Sequence, residues 1–423
     1  MNDATDPRRI CLVTETYPPE INGVALTLAR LAGGLRARGH AVSVVRPRQP
    51  SDGRVGGERV RDPELTLVSG VGLPAYKEVR VGLPAAGTLR DCWSERRPDA
   101  VYVATEGPLG WSAVRTANRL GVPVFSGFHT SFADYAGHYG LGWLAPVVQA
   151  HLRRLHNQTR GTLVASAELR RRLLGIGFND VHVLGRGVDG DLFDPARRSA
   201  KLRATWGAGS TDLVALYVGR LAPEKNVPLA VEAYRAMQRA QSAARCVIVG
   251  DGPLRGALEK AHPDLVFCGM RTGAALAAHY ASADVFLFPS ETETFGNVTL
   301  EAMASGLVVV AYDYAAARIH VAQGESGVLV PRGDARAFVE GAAALARQPA
   351  CLPEMRRRAR AHAASVDWPS VVAAFEALLT SPLVERAGYA LATGPSGRRD
   401  EQARREGRAA ARGEASGYGS PGA

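Results

Sequence analysis

The chain has 423 residues, 46% hydrophobic and 22% charged, with 51 Lys and Arg against 41 Asp and Glu for a net charge of +10. That length suits two domains, each able to bury a core, and no run approaches the roughly 20 apolar residues that a spanning helix needs. The basic excess favours anionic partners, but its residues, almost all Arg, are scattered, so no compact nucleic-acid patch is expected, and a high-GC genome would leave the same bias.

Apolar runs and amphipathic stretches alternate along the chain. Ile10–Val13 is too short for a signal-peptide core and, extended to Thr14, reads as a buried strand. A helix over Leu26–Arg38 carries Leu28, Leu31 and Leu35 on one face and ends at Gly39-His40, with Ala41–Val45 the next strand. Pro98-Asp99 leads into a strand over Ala100–Ala104, a helix over Gly110–Leu120 ends at Gly121, and Pro123–Gly127 is another strand. This spacing predicts right-handed βαβ units and a parallel sheet.

The alternation restarts after a Gly- and Pro-containing break near Gly185–Asp212. Strands are expected at Leu213–Gly219, Arg245–Gly250, Leu265–Gly269, Val285–Pro289 and Val308–Tyr312. Helices are expected at Pro228–Ala240, Gly252–Ala261, Gly273–Ser282, Thr299–Ser305 and Pro369–Leu379. Beyond about Gly394 the Gly, Ala, Arg, Ser and Pro composition predicts a disordered tail. Cys11, Cys92, Cys246, Cys268 and Cys351 are odd in number, lack metal-ligand spacing and read as reduced thiols.

Chemistry concentrates where strands end. After Val285–Pro289 comes Ser290-Glu-Thr-Glu-Thr-Phe-Gly-Asn297 and then a helix, placing Glu293 in the loop and Glu301 one to two turns into the helix. Ligands of α/β proteins bind at the carboxyl ends of parallel strands. Amides of Phe295, Gly296 and Asn297 at the helix start suit a phosphate or a sugar oxygen. Two acids flanking such amides fit a polyhydroxylated ligand carrying a phosphate; a helix cap with solvated acids is the plain alternative. After Leu213–Gly219, Arg220 and Lys225 straddle a second strand-to-helix loop and would neutralise a diphosphate leaving group. Val249-Gly-Asp-Gly-Pro253 reads mainly as a structural turn.

Glu293-x7-Glu301, Gly219-Arg220-x3-Glu224-Lys225, Val249-Gly-Asp-Gly-Pro253 and Phe267-Cys-Gly269, together with Thr14-Glu-Thr-Tyr-Pro-Pro-Glu-Ile-Asn22-Gly23-Val24 and Arg38-Gly39-His40, resemble glycosyltransferase family 4 over about residues 8–380. The resemblance implies an α/β GT-B fold, two Rossmann-like domains with parallel sheets facing across a cleft. Residues 1–190 would bind the acceptor and 191–367 the nucleotide sugar. Residues 368–385 would form a helix returning to the first domain, and 386–423 a disordered basic tail. Glu293 would hold donor-sugar hydroxyls, Glu301 the ribose hydroxyls, and Arg220 and Lys225 the diphosphate. Amides from Thr294 through Phe295 and Gly296 to Asn297 would contact sugar and phosphate, and Gly23 would approach the diphosphate. Arg271 lies where main chain meets the base, and His129 matches a histidine beside the donor sugar. The anomeric configuration would be retained by front-face attack of the acceptor. Neither a metal nor another cofactor is expected, and the triplet Asp189-Gly190-Asp191, in the interdomain linker, is discounted as a metal site.

Phe128-His-Thr-Ser-Phe-Ala-Asp-Tyr-Ala-Gly-His-Tyr-Gly140 and Leu73-Pro-Ala-Tyr-Lys-Glu-Val-Arg80 resemble a subgroup acting on lipid-linked acceptors, including bacterial glycolipid mannosyltransferases and sulfoquinovosyl-lipid synthases. Leu144, Val147, Val148, Leu152 and Leu155 recur at helical spacing beside His151, Arg153, Arg154 and His156, a face able to lie on anionic lipid or to pack on the sheet. The expected partners are GDP-mannose or a UDP-sugar, a lipid or glycan acceptor and an anionic membrane surface on the cytoplasmic side, with no nucleic acid. A nucleotide-sugar epimerase or phosphorylase on the same architecture, and a non-catalytic sugar-nucleotide binder, are the competing readings. Pro18-Pro19 after the first strand, in place of Gly-x-Gly-x-x-Gly, argues against a dehydrogenase.

Overall fold

The computed structural model describes residues 6–20, 22–50, 52, 64–73, 76–129 and 145–380. The expected tail, Leu144 and the acceptor loop beyond His129 lie outside the described residues. Contacts divide the described chain into two compact units. One runs to Phe193 and takes in Thr292–Asn297 and the residues from Ala364; the other holds Asp194–Glu291 and Val298–Ala363.

The first unit carries β1 (Arg9–Val13), β2 (Ala41–Pro47), β3 (Leu65–Val68), an antiparallel pair β4 (Gly70–Leu73) and β5 (Tyr76–Gly82), then β6 (Ala100–Val103), β7 (Val124–Phe128), β8 (Thr162–Val164) and β9 (Val181–Val183). Seven strands form a parallel sheet in the order β3-β2-β1-β6-β7-β8-β9. β1 is apolar from Ile10 to Val13 because helices cover both faces. Ile10 and Leu12 join Leu28, Leu31 and Leu35 in one core, while Cys11 and Val13 join Leu109, Ala113 and Trp93 in the other.

The helix after β1 starts at Gly23, ahead of the expected Leu26, because Asn22 caps it by accepting from the amides of Val24 and Ala25. Gly23 is therefore the first helical residue, not part of the preceding loop. Further along, Gly34 leaves room for Val372 of the helix Trp368–Thr380; a Cβ there would lie 2.4 Å from the valine Cγ2. The buried Glu376 of that same helix accepts from Arg38, and its other carboxylate oxygen lies 2.9 Å from His40 Nε2. The Arg38-Gly39-His40 triplet thus anchors the last described helix to the first unit.

The second unit has β10 (Val214–Val218), β11 (Arg245–Val249), β12 (Val266–Gly269), β13 (Val285–Phe288), β14 (Val308–Tyr312) and β15 (Gly327–Val330) in the parallel order β12-β11-β10-β13-β14-β15. The sheet grows to one side as far as β12 and then to the other from β13, so β10 and β13 flank its topological switch point. At the opposite end of β13, Asp284 gathers charge. Its carboxylate pairs with Arg356 at 2.8 Å, Arg198 at 3.0 Å and Arg203 at 3.3 Å, and accepts from the Val214 amide. That one acid fastens the segment entering the unit, the edge of β10 and the helix Leu352–Ala363 to the sheet.

Removing one partner of a buried ion network leaves the other charges uncompensated. Asp284→Asn is expected to lower the unfolding free energy of the second unit by about 3 kcal/mol or more, measured by urea denaturation. A loss under about 1 kcal/mol, the size of an exposed pair, would contradict this role.

Candidate active site

The switch point brings two of the sequence motifs together. Arg220 and Lys225 lie on the loop after β10, and the Ser290–Asn297 loop follows β13. Glu291 ties the two: its amide donates to the Glu224 carbonyl at 3.4 Å, and its Oε1 accepts from Asn226 Nδ2 at 3.2 Å. Asn226 takes a left-handed conformation, φ 48°, which its short polar side chain tolerates. From β14 and β15, Tyr314 OH donates to the Ser290 carbonyl at 2.7 Å and Arg332 donates to the Glu291 carbonyl. The Arg332 guanidinium stacks over the Tyr314 ring at 4.7 Å.

Glycines set the spacing on the other side of β10. Gly250, at φ 143°, lies so close to Gly219 that a Cβ would stand 1.9 Å from its carbonyl oxygen, and Gly252 presses likewise on Leu221. Leu221 in turn donates to the Asp251 carbonyl. The Val249–Pro253 turn is thus a backbone-to-backbone contact that shapes the Arg220 loop.

Arg220 is exposed and its Nη1 is 4.0 Å from the buried Glu224. Lys225 and Glu293 are half-buried, Phe295 is buried, and Gly296 has φ 91°. The helix begins at Asn297, two residues before the expected Thr299, so Glu301 stands about one turn in. Burial pushes the Glu301 carboxyl up to about 7, against the pull of a 3.1 Å bond from Tyr280 OH. Arg271, just past β12, is exposed and donates to the Met270 carbonyl. Among the described residues the buried Thr292 hydroxyl has no hydrogen-bond partner.

In the first unit the Asn297 side-chain nitrogen lies 3.9 Å from where a Cβ on Gly23 would stand. His129 follows β7 and is buried. Its Nδ1 faces Arg186 Nη2 at 2.9 Å and its Nε2 faces Tyr102 OH at 2.8 Å. A guanidinium only donates, so Nδ1 accepts and Nε2 carries the proton towards the phenol oxygen. Burial, then the Arg186 charge, holds His129 well below the ordinary histidine range. Gly127 makes this possible, since a Cβ there would sit 2.1 Å from the Tyr102 oxygen.

One other expectation is revised by the packing. The helix Ala145–His156 buries Leu152 and Leu155 but exposes Val147, and His156 turns inward to bond Ser126 at 2.8 Å. His156 is therefore not part of a basic surface. Asp189 is occupied by Arg30 and by the Leu192 amide.

Residues 21–192 match the family description Glycosyltransferase Family 4, and residues 212–348 match Glycosyl transferases group 1. A GDP-mannose-dependent alpha-mannosyltransferase of Mycobacterium tuberculosis is 36% identical over 327 residues, 77% of this chain and 84% of its own length. A GDP-mannose-dependent alpha-(1-6)-phosphatidylinositol dimannoside mannosyltransferase of the same species is 30% identical over 71% of this chain and 78% of its own. The crystal structure of Anabaena HepE in complex with UDP superposes with a TM-score of 0.70 at 18% identity, covering 88% of this chain and 100% of that one. The chain belongs to glycosyltransferase family 4 and is a hexosyltransferase of GT-B fold. Among the described residues no helix is long and apolar enough to cross a membrane.

The tautomer of His129 can be read directly. Nitrogen-15 spectra are expected to show Nδ1 unprotonated and Nε2–H retained from about pH 8 down to about pH 5. An imidazolium signal for His129 near pH 6 would contradict the arrangement with Arg186.

Proposed function

We propose that the protein is a retaining mannosyltransferase that moves mannose from GDP-mannose to a lipid acceptor. The observation that carries the donor half is the tie through Glu291, which holds the Arg220–Lys225 loop to the loop leading to Glu301 at the switch point of the second sheet. The acceptor hydroxyl adds to the sugar anomeric carbon as the bond to the diphosphate oxygen breaks on the same face. The electron pair and the acceptor proton pass to the departing nucleotide. Arg220 and Lys225 stabilise the charge that grows on the diphosphate. Glu301 accepts the ribose hydroxyls, Glu293 those of the sugar, and the amides of Thr294, Phe295, Gly296 and Asn297 meet sugar and phosphate oxygens. Arg271 offers its main chain to the base. On the first unit, Gly23 presents the helix N-terminus to phosphate and His129 stands by the donor sugar.

Mannose is supported by the names of both mycobacterial relatives, and a lipid acceptor by the phosphatidylinositol dimannoside in the name of the second. The proposal extends to work at an anionic membrane surface on the cytoplasmic side, and co-sedimentation with anionic liposomes at low salt is the check. A UDP-sugar is the second donor reading, favoured by the UDP in the HepE structure. A thermal-shift screen separates the two. GDP-mannose at about 100-fold over its Kd is expected to raise Tm by roughly 5 °C, with UDP-sugars much weaker. A shift with UDP-glucose and none with GDP-mannose would overturn the donor assignment.

Arg220→Ala and Lys225→Ala are each expected to cut kcat about 10²- to 10³-fold while leaving Tm within a few degrees. Near-normal turnover in both would remove the diphosphate role.

A further inference from the structure

Tyr280 ends the helix Gly273–Ser282 inside the second unit, fully buried, with its ring 5.8 Å from that of Phe286 on β13. Its hydroxyl donates to Glu301 Oε2 at 3.1 Å. Among the described residues no other hydrogen bond reaches the Glu301 carboxylate, and Oε1 is not one of the buried polar atoms left without a partner. A carboxylate has about four acceptor positions, and the protein fills one of them. The remaining capacity lies on the oxygen that the phenol leaves clear.

We infer that Tyr280 is a positioning residue for the nucleotide: by donating to Oε2, it holds the Glu301 carboxyl in its ionised form with Oε1 placed to accept from the vicinal diol of the ribose. This rests on the reading of Glu301 as the ribose ligand and assigns the group that orients it. An ionised carboxylate takes both diol protons, whereas a carboxylic acid spends one oxygen as a donor. The phenol also opposes the effect of burial, which favours the neutral acid. Among the described residues the titratable groups acting on this carboxyl are few. Tyr280 touches it, Tyr217 of β10 acts on Tyr280, and the helix Asn297–Ala304 carries no other charge.

The test is calorimetric titration of GDP and of UDP into the wild type, Tyr280→Phe and Glu301→Gln, each from about pH 6.5 to about pH 8.5. Tyr280→Phe is expected to weaken the tighter nucleotide roughly tenfold near pH 7, the worth of one hydrogen bond to a charged group, and to regain most of it by about pH 8.5. A loss of the same size at every pH would overturn the inference, since a packing defect has no proton dependence. Unchanged affinity in Tyr280→Phe beside a weakened Glu301→Gln would overturn it too, and leave Glu301 as a ligand. Unchanged affinity in Glu301→Gln would instead sink the ribose reading itself. If Tyr280→Phe does not fold, 3-fluorotyrosine at 280 keeps the shape and makes a stronger donor. It is expected to tighten binding at pH 7, and weaker binding would count against the proposal.

Discussion

A single acidic residue, Glu291, holds together the two loops of the proposed donor site. Glu291 joins the turn after β10 to the turn after β13 through its own main chain and side chain, and Tyr314 and Arg332 press the same turn from β14 and β15. Without that tie, Arg220 and Lys225 would ride on a turn free of the loop bearing Glu293. Preorganised charge is effective because it need not be gathered while the bond breaks. The clamp uses the main-chain carbonyls of Glu224, Ser290 and Glu291 together with the Glu291 amide.

Electrostatics at the two ends of β13 are arranged in opposite ways. At Asp284 three guanidinium groups converge on one acid at the amino end of β13, and the network is complete within the protein. At the carboxyl ends some buried groups keep spare hydrogen-bonding capacity. Among the described residues the Glu301 carboxylate has one hydrogen bond, the Thr292 hydroxyl has none, and the buried Arg186 of the first unit meets a neutral imidazole and carbonyls. Unpaired polar groups in a folded interior carry a free-energy cost that a ligand can relieve. The closed network holds the scaffold, and the Glu301 carboxylate and Thr292 hydroxyl keep capacity for the proposed nucleotide sugar.

Much of the scaffold was legible in the sequence because a parallel sheet covered on both faces writes continuous apolar strands. Val308–Tyr312 and Gly273–Ser282 coincide with observed elements. Shorter pieces escaped: β8 and β9 have three residues each, too few for any period, and β3 sits at a sheet edge. Helix starts moved where a cap or a glycine turn outweighed apolar spacing, as at Asn22 and Gly296. The candidate site was legible as motifs, because strand-end loops keep their chemistry local in sequence. Its supports were not. Tyr280 lies 21 residues from Glu301 and Arg186 lies 57 from His129, separations that only the fold closes. His156 misled because helical spacing cannot tell a charged face from a polar residue that finds a serine inside.

The central claim is glycosyl transfer from GDP-mannose to lipid, and following the label tests it most directly. Purified protein, GDP-[14C]mannose and a membrane lipid extract are incubated and partitioned between water and organic solvent. The account predicts radioactivity in the organic phase, bound through a glycosidic link of unchanged anomeric configuration. Label that stays in the aqueous phase as GDP-mannose or free mannose, while a UDP-sugar is transferred under the same conditions, would contradict it.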